Sequence, residues 1–259
     1  MKYSLQSCEK KHYLEEGYLI RKNIFKFEEV LLMNKALERA TSKALSLSDE
    51  GQNYYLDGKR FVDFKHMTVQ FENELKEKVI KVIEPAHHLD KHLEVVIKDQ
   101  RILDPIKGII GQDEISLWTD KLNLKRPMIG SGFGWHQDSP YWMHDSQDVS
   151  LLPNVYISLD QADKENGCFS VIPKSHLEGC LPGTKNDTQL GGFYTDPLSF
   201  SAENEVLLEL SAGSLVFFNP HIVHGSKPNK SLKQRRAYII TYQPGGLPAL
   251  KSKEIYNIP

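Results

Sequence analysis

Long apolar runs are missing from this 259-residue chain. No stretch approaches the ~18 residues that a membrane-spanning helix needs. The opening segment, MKYSLQSCEKKHYLEEGY, has no apolar core of the kind a signal peptide carries, and the closing EIYNIP matches no retention or peroxisomal address. Cysteine is scarce too. Cys8, Cys168 and Cys180 are too few and too scattered for a disulfide framework, so a reducing, cytoplasmic setting is expected. Neither sign of charge dominates, with 32 Lys+Arg against 34 Asp+Glu. That balance gives no basic footprint for nucleic acid and no polybasic arm for a membrane, which leaves a small molecule as the expected partner. Internal repeats, low-complexity tracts and linkers are absent as well, so one domain over 1–259 is expected.

What is present is a change of period partway along. Val30, Met33, Leu37, Ala40 and Ala44 recur at spacings of three and four, the stripe of an amphipathic helix. Leu75, Val79 and Val82 repeat that spacing before Pro85 interrupts it. Residues 1–113 therefore read as mostly helical. The aromatic segment from Asn53 to Lys65 stands apart, because Asp57-Gly58 signals the turn of a hairpin or loop. From Glu114 the period becomes two. Val155, Ile157 and Leu159 alternate with Tyr156, Ser158 and Asp160, as in a half-buried strand. Val206 to Leu210, Leu215 to Phe218 and Ala237 to Tyr242 are further short strands, separated by turn clusters. The expected fold is mainly β with a helical N-terminal buttress. Its core, 114–245, would be a double-stranded β-helix, a barrel of the jelly-roll or cupin kind.

The chemistry concentrates in Gly134-Trp135-His136-Gln137-Asp138. On a strand, residues i and i+2 share a face, so His136 and Asp138 can offer an imidazole and a carboxylate to one ion. These are two of the three ligands of the facial triad of non-haem Fe(II) oxygenases. The spacing alone is common. His88-Leu89-Asp90 repeats it in a charged stretch where a solvated helical face is the plainer reading. A third ligand must come from elsewhere, and the segment NPHIVHGSKPNKSLKQRR offers His221 and His224. His224 follows an apolar strand and precedes the Gly225-Ser226 turn. Arg235 opens the next strand, so a hairpin would put it beside His224. Its planar fork would hold a carboxylate through two parallel hydrogen bonds. The neighbouring Arg236 fits a solvated loop charge.

Taken together, His136-Gln137-Asp138, the run from Asn166 to His176 and His224-Gly225-Ser226 followed by Arg235 resemble the phytanoyl-CoA dioxygenase family. Lys125-Arg126-Pro127 and the entry Glu16-Gly17-Tyr18 add to the likeness, which spans roughly Glu114 to Gln243. The resemblance implies that His136, Asp138 and His224 bind Fe(II) and that Arg235, assisted by Ser226, pairs with the distal carboxylate of 2-oxoglutarate. It implies that Gln137 and Tyr156 line the co-substrate pocket, Tyr156 standing where relatives often have Trp. His176 falls at a position that is structural in the family. Asp138 occupies the place that related halogenases leave small for a halide, so halogenation is disfavoured. The implied reaction uses O2 and 2-oxoglutarate to hydroxylate an unactivated C–H, releasing succinate and CO2. Desaturation, cyclisation and epimerisation are variants of it.

Phe133, Tyr141, Trp142 and His144 flank the metal motif and are the candidate acceptor contacts. The acceptor itself is expected to be a small metabolite or natural-product intermediate. The competing reading is a metal-binding barrel with non-redox chemistry or a binding role. Arg235 discriminates, because such a site has no need of a keto-acid clamp.

Overall fold

Burial of one helical stripe organises the N-terminal part. The structure, a computed structural model, describes residues 2–73, 78–185 and 188–258. After α1 (Ser7–Glu16) and β1 (Tyr18–Arg21), the helix α2 (Phe27–Ser48) buries Val30, Met33, Ala36, Leu37, Ala40 and Ala44. Small alanines on that face let the helix lie close against the sheet beneath. Its start is fixed by Glu29, whose carboxylate accepts the backbone N–H of Lys26 at 2.8 Å.

The stretch after α2 departs from the helical expectation. Four strands follow, β2 (Gln52–Leu56), β3 (Lys59–Phe64), β4 (Met67–Asn73) and β5 (Ile80–Glu84). Asp57 and Gly58 turn β2 into β3 with φ of 49° and 70°, the paired positive values of a two-residue hairpin turn. Val82 lies in β5, Val79 just ahead of it, and Leu75 falls outside the described residues. Three apolar residues at helical spacing were too short a pattern, and the β-branched Val79, Ile80, Val82 and Ile83 favour a strand. Helices return with α3 (Lys91–Ile97) and α4 (Gln100–Ile110). The His88-Leu89-Asp90 pair ends as structure. Asp90 caps α3, accepting the N–H of His92 and pairing with Arg39.

The remaining strands are β6 (Ile115–Lys125), β7 (Phe133–His136), β8 (Asn154–Ser158), β9 (Phe169–Ile172), β10 (Val206–Leu208), β11 (Leu215–Phe218), β12 (Val223–Ser226), β13 (Arg235–Pro244) and β14 (Asn257–Ile258). They form two antiparallel sheets. The larger runs β1-β11-β8-β13-β6-β5-β4-β3-β2, with β14 paired to β6, and the smaller runs β10-β9-β12-β7. β8 is buried on both faces, not one. Val155 and Ile157 join the core under the helices, while Tyr156 joins a second core between the sheets. That sandwiching is why the alternation at β8 does not end in solvent.

Candidate metal and co-substrate site

β7 and β12 are neighbours in the smaller sheet, with His136 directly opposite His224 and ring centroids 4.2 Å apart. Asp138 follows two residues later, where the short helix α5 (Ser139–Trp142) begins. One donor atom from each of the three lies within 4.8 Å of the others. Ligands held at about 2.0–2.2 Å from an ion are at most about 4.4 Å apart, so small side-chain adjustments close the cage.

The surroundings prepare these atoms. His136 Nδ1 meets the carbonyl of Gly134 at 2.7 Å, and His224 Nδ1 meets that of Ile222 at 3.0 Å. With Nδ1–H donated to a carbonyl, Nε2 of each ring presents its lone pair to the centre. Burial pushes the His136 imidazole down to about 3, and the neighbouring His224 adds to the shift. Burial also lowers His224. Burial alone would raise Asp138, but the Lys121 ammonium and the two imidazoles override it and hold the carboxyl below its ordinary range. Asp138 is further oriented by Asn154, whose amide donates at 3.0 Å, and Asn154 is held by Thr241 at 2.6 Å. Two neutral imidazoles and one carboxylate are the donor set that suits Fe(II).

Arg235 does not share a hairpin with His224. β12 belongs to the smaller sheet and β13 to the larger, so the two side chains face one another across the space between sheets. Arg235 is 2% exposed, and its donors go to Gly167 O at 3.1 Å, Ser226 Oγ at 3.1 Å and Tyr156 Oη at 3.4 Å. No carboxylate reaches it among the described residues. A buried guanidinium without a counter-ion is costly, which marks this end of the cavity as a receptor for an anion. Gly167 makes room for the arrangement. Its φ is +71°, and a Cβ there would stand 2.0 Å from the Lys227 carbonyl.

The cavity encloses about 490 Å³ and is lined by the three candidate ligands, Arg235, Ser226, Tyr156, Phe133, Tyr141 and Trp142. Two expected contacts are elsewhere. Gln137, just past the end of β7, points away from the cavity, where its amide donates to the carbonyls of Gly179 and His221 and accepts the N–H of Leu181. β7 has ended by then, so the turn into α5, where the backbone of Asp138 is already helical, sets the directions of Gln137 and Asp138. His144 is exposed beyond α5 and lines no part of it. Arg236 is also not a free loop charge, being clamped by Asp160 and Glu38.

Four lining lysines went unremarked in the sequence: Lys59, Lys81, Lys121 and Lys251. Lys121 Nζ lies 3.3 Å from Asp138 Oδ1. Lys81 donates to Gly132 O at 2.8 Å and lies over the Phe133 ring. Burial pushes it down to about 8, partly countered by Glu72, while Lys59 and Arg235 add to the fall. Lysines interleaved with apolar residues in strand-forming stretches, as in IKVIE and ISLWTDKLNLK, are the signal that points to Lys81 and Lys121.

The family model for phytanoyl-CoA dioxygenase matches residues 13–237. The chain is 24% identical over 241 residues to a probable alpha-ketoglutarate-dependent hypophosphite dioxygenase of Stutzerimonas stutzeri, covering 90% of this chain and 77% of that one. It is 27% identical over 252 residues to the phytanoyl-CoA dioxygenase domain-containing protein 1 homolog of Caenorhabditis elegans, covering 87% and 86%. Among solved structures, EctD from S. alaskensis with 2-oxoglutarate and 5-hydroxyectoine superposes with a TM-score of 0.71 at 20% identity, over 92% of this chain and 76% of that one. At that identity the likeness is one of fold, a double-stranded β-helix.

Proposed function

The chain belongs to the phytanoyl-CoA dioxygenase family, and from that premise we propose that His136, Asp138 and His224 hold its iron while Arg235 anchors 2-oxoglutarate. The enzyme is an Fe(II)- and 2-oxoglutarate-dependent dioxygenase. With O2, iron and the keto acid supply oxidation of an unactivated C–H coupled to release of succinate and CO2. The observation that carries the site reading is the pairing of a neutral-His, charged-Asp donor set with a buried, counter-ion-free guanidinium in one cavity. A metal site built for non-redox chemistry would leave that guanidinium unused.

The side chains divide the work. Asn154 and Lys121 fix the carboxylate of Asp138, and the carbonyls of Gly134 and Ile222 fix the two rings. Ser226 and Tyr156 orient Arg235 toward the distal carboxylate, and Lys81 adds positive charge at the same end. Tyr141 stacks on Phe193 with centroids 4.6 Å apart and makes a T-shaped contact with the His136 ring at 6.1 Å. That pair covers the metal from solvent and forms one wall for the acceptor. The acceptor is a small molecule, as hypophosphite, L-proline and ectoine are for relatives named after them. Hydroxylation is the reaction proposed, in a single catalytic unit.

The deciding experiment is anaerobic titration of purified protein with Fe(II) and 2-oxoglutarate, followed by oxygen exposure and assay of succinate. One iron and one keto acid per chain, with oxygen-dependent succinate, is the expected result. Metal binding without any keto-acid binding would instead favour a non-redox metal site.

A further inference from the structure

Once the keto acid is placed, the charges lining the rest of the cavity do not cancel. Arg235 faces the distal carboxylate, and Lys81 has Glu72 close enough to support its charge. At the mouth, Asp145 is paired with Lys253 at 2.8 Å, and Lys251, which donates to Thr68 Oγ1, is exposed to solvent that screens its charge. Two ammonium groups remain further in, Lys59 and Lys121, against one carboxylate, Glu84. Glu84 lies beside Lys121 and accepts a hydrogen bond from Thr119 at 2.9 Å. Lys121 and Glu84 therefore account for one another once Asp138 serves the iron. Lys59 is left without an acidic partner among the described residues.

Its surroundings are specific. Lys59 follows the Asp57-Gly58 turn, and Asp57 accepts the backbone N–H groups of Gln189 and Leu190 at 2.9 and 2.8 Å. The hairpin and the 188–195 segment are thereby joined across the cavity roof. From that junction Lys59 Nζ reaches Tyr194 Oη at 3.0 Å and lies 5.6 Å from the centroid of the same ring. A phenol oxygen orients an ammonium but does not neutralise it. The Tyr194 ring packs on Gly134, where any Cβ would come within 3.0 Å of it. Gly134 stands two residues before His136, and Lys59, Tyr194 and the metal side chains line one cavity.

We propose that the acceptor carries an anionic head, a carboxylate or a tetrahedral oxyanion such as a phosphonate, and that Lys59 braced by Tyr194 receives it at the roof of the cavity. The inference rests on the oxygenase reading, which fixes the Arg235 end for the keto acid. An ammonium there selects by charge first, since a neutral analogue leaves it without a counter-ion.

The test uses the full chain loaded with Mn(II) and saturating 2-oxoglutarate, titrated calorimetrically with small carboxylates and with methylphosphonate. Dimethyl methylphosphonate serves as the neutral counterpart. Anions should bind and the neutral ester should not. Lys59→Gln should weaken anion binding at least tenfold, Lys59→Arg should restore most of it, and the affinity of either variant for 2-oxoglutarate should match the parent. Neutral and charged probes binding alike, no probe binding, or an unaffected Lys59→Gln would each overturn the proposal. So would anions that bind only by displacing 2-oxoglutarate, because they would then be sitting at Arg235. A parent protein that takes up no 2-oxoglutarate at all would instead bring down the oxygenase reading beneath it.

Discussion

At neutral pH, His136, Asp138 and His224 already hold the protonation states that a divalent ion requires, because burial keeps both imidazoles neutral while Lys121 keeps the carboxylate charged. Replacing any one by Ala should therefore reduce iron content and acceptor oxidation together and leave far-UV dichroism unchanged. His144→Ala, outside the cavity, should alter neither. For the keto acid, Arg235→Ala removes one side of a buried charge pair, a loss of about 2–5 kcal/mol. The dissociation constant for 2-oxoglutarate should rise at least tenfold. Arg236→Ala should leave that constant in place and cost stability instead, since its partners are Asp160 and Glu38. Lys81 gives the site a pH dependence whose sign follows from its depressed value of about 8. A carboxylate arriving nearby favours the ammonium, so affinity is full below that value and falls as pH rises through it. Calorimetry between about pH 6.5 and 9.5 should show this decline in the parent and not in Lys81→Met. A flat parent profile would remove Lys81 from the co-substrate end.

Among the elements, how well each was legible depended on how local its cause is. The stripe of α2 is written in its own residues, and Leu37→Ala there should cost about 2–5 kcal/mol in denaturant unfolding, the usual penalty for a buried cavity. The β2–β3 turn was equally local, because Asp57-Gly58 supplies both positive φ values. The His136–Asp138 pair was legible in its spacing but not for the reason expected, because β7 ends at His136 and the turn into α5 brings Asp138 back to the same site. Pairing between sheets was not legible. β13 is recognisable as a strand, but Gly225-Ser226, expected as a turn, lies inside β12, and nothing within either strand says that they belong to different sheets. Arg235 meets Ser226 through space, not along a ladder. The junction of the β2–β3 hairpin with residues 189 and 190 is likewise a long-range contact between two polar loops. Asp57→Ala removes the carboxylate oxygens that accept the backbone N–H groups of Gln189 and Leu190. The expected consequence is looser coupling, with more succinate formed per acceptor oxidised and 2-oxoglutarate affinity preserved. An unchanged ratio would make the junction a surface detail.

For the whole molecule, the helices expected within 1–113 are present as α1 to α4, but five strands from the same segment join the larger sheet. β1 extends the larger sheet by pairing with β11, and β5 pairs with β6, carrying β4, β3 and β2 behind it. Val62, Val69, Phe71, Ile80 and Ile83 from this half are all 3% exposed or less, in the same core as Leu117, Leu122 and Leu124 from the other. At about 1.5–3 kcal/mol for each large side chain buried, losing these five alone is comparable to the ~5–15 kcal/mol by which most domains are stable. The first half also supplies cavity wall: Lys59, Phe61, Gln70, Lys81, Val82 and Glu84 all come from β3, β4 and β5. A fragment of residues 114–259 keeps every candidate iron ligand and Arg235, so by motif it is complete. By structure it has lost the partners of β6 and β11, and it presents two open edges with an apolar face, the condition that drives strand-to-strand aggregation. The fragment should accumulate as insoluble protein and, where refolded, show neither a cooperative unfolding transition nor binding of 2-oxoglutarate. The full chain should unfold in one transition that shifts upward when Mn(II) and 2-oxoglutarate are added together, because both bind only the folded state. Should the fragment instead melt cooperatively and bind the keto acid with the affinity of the full chain, the N-terminal half would be an accessory layer and not a wall of the site.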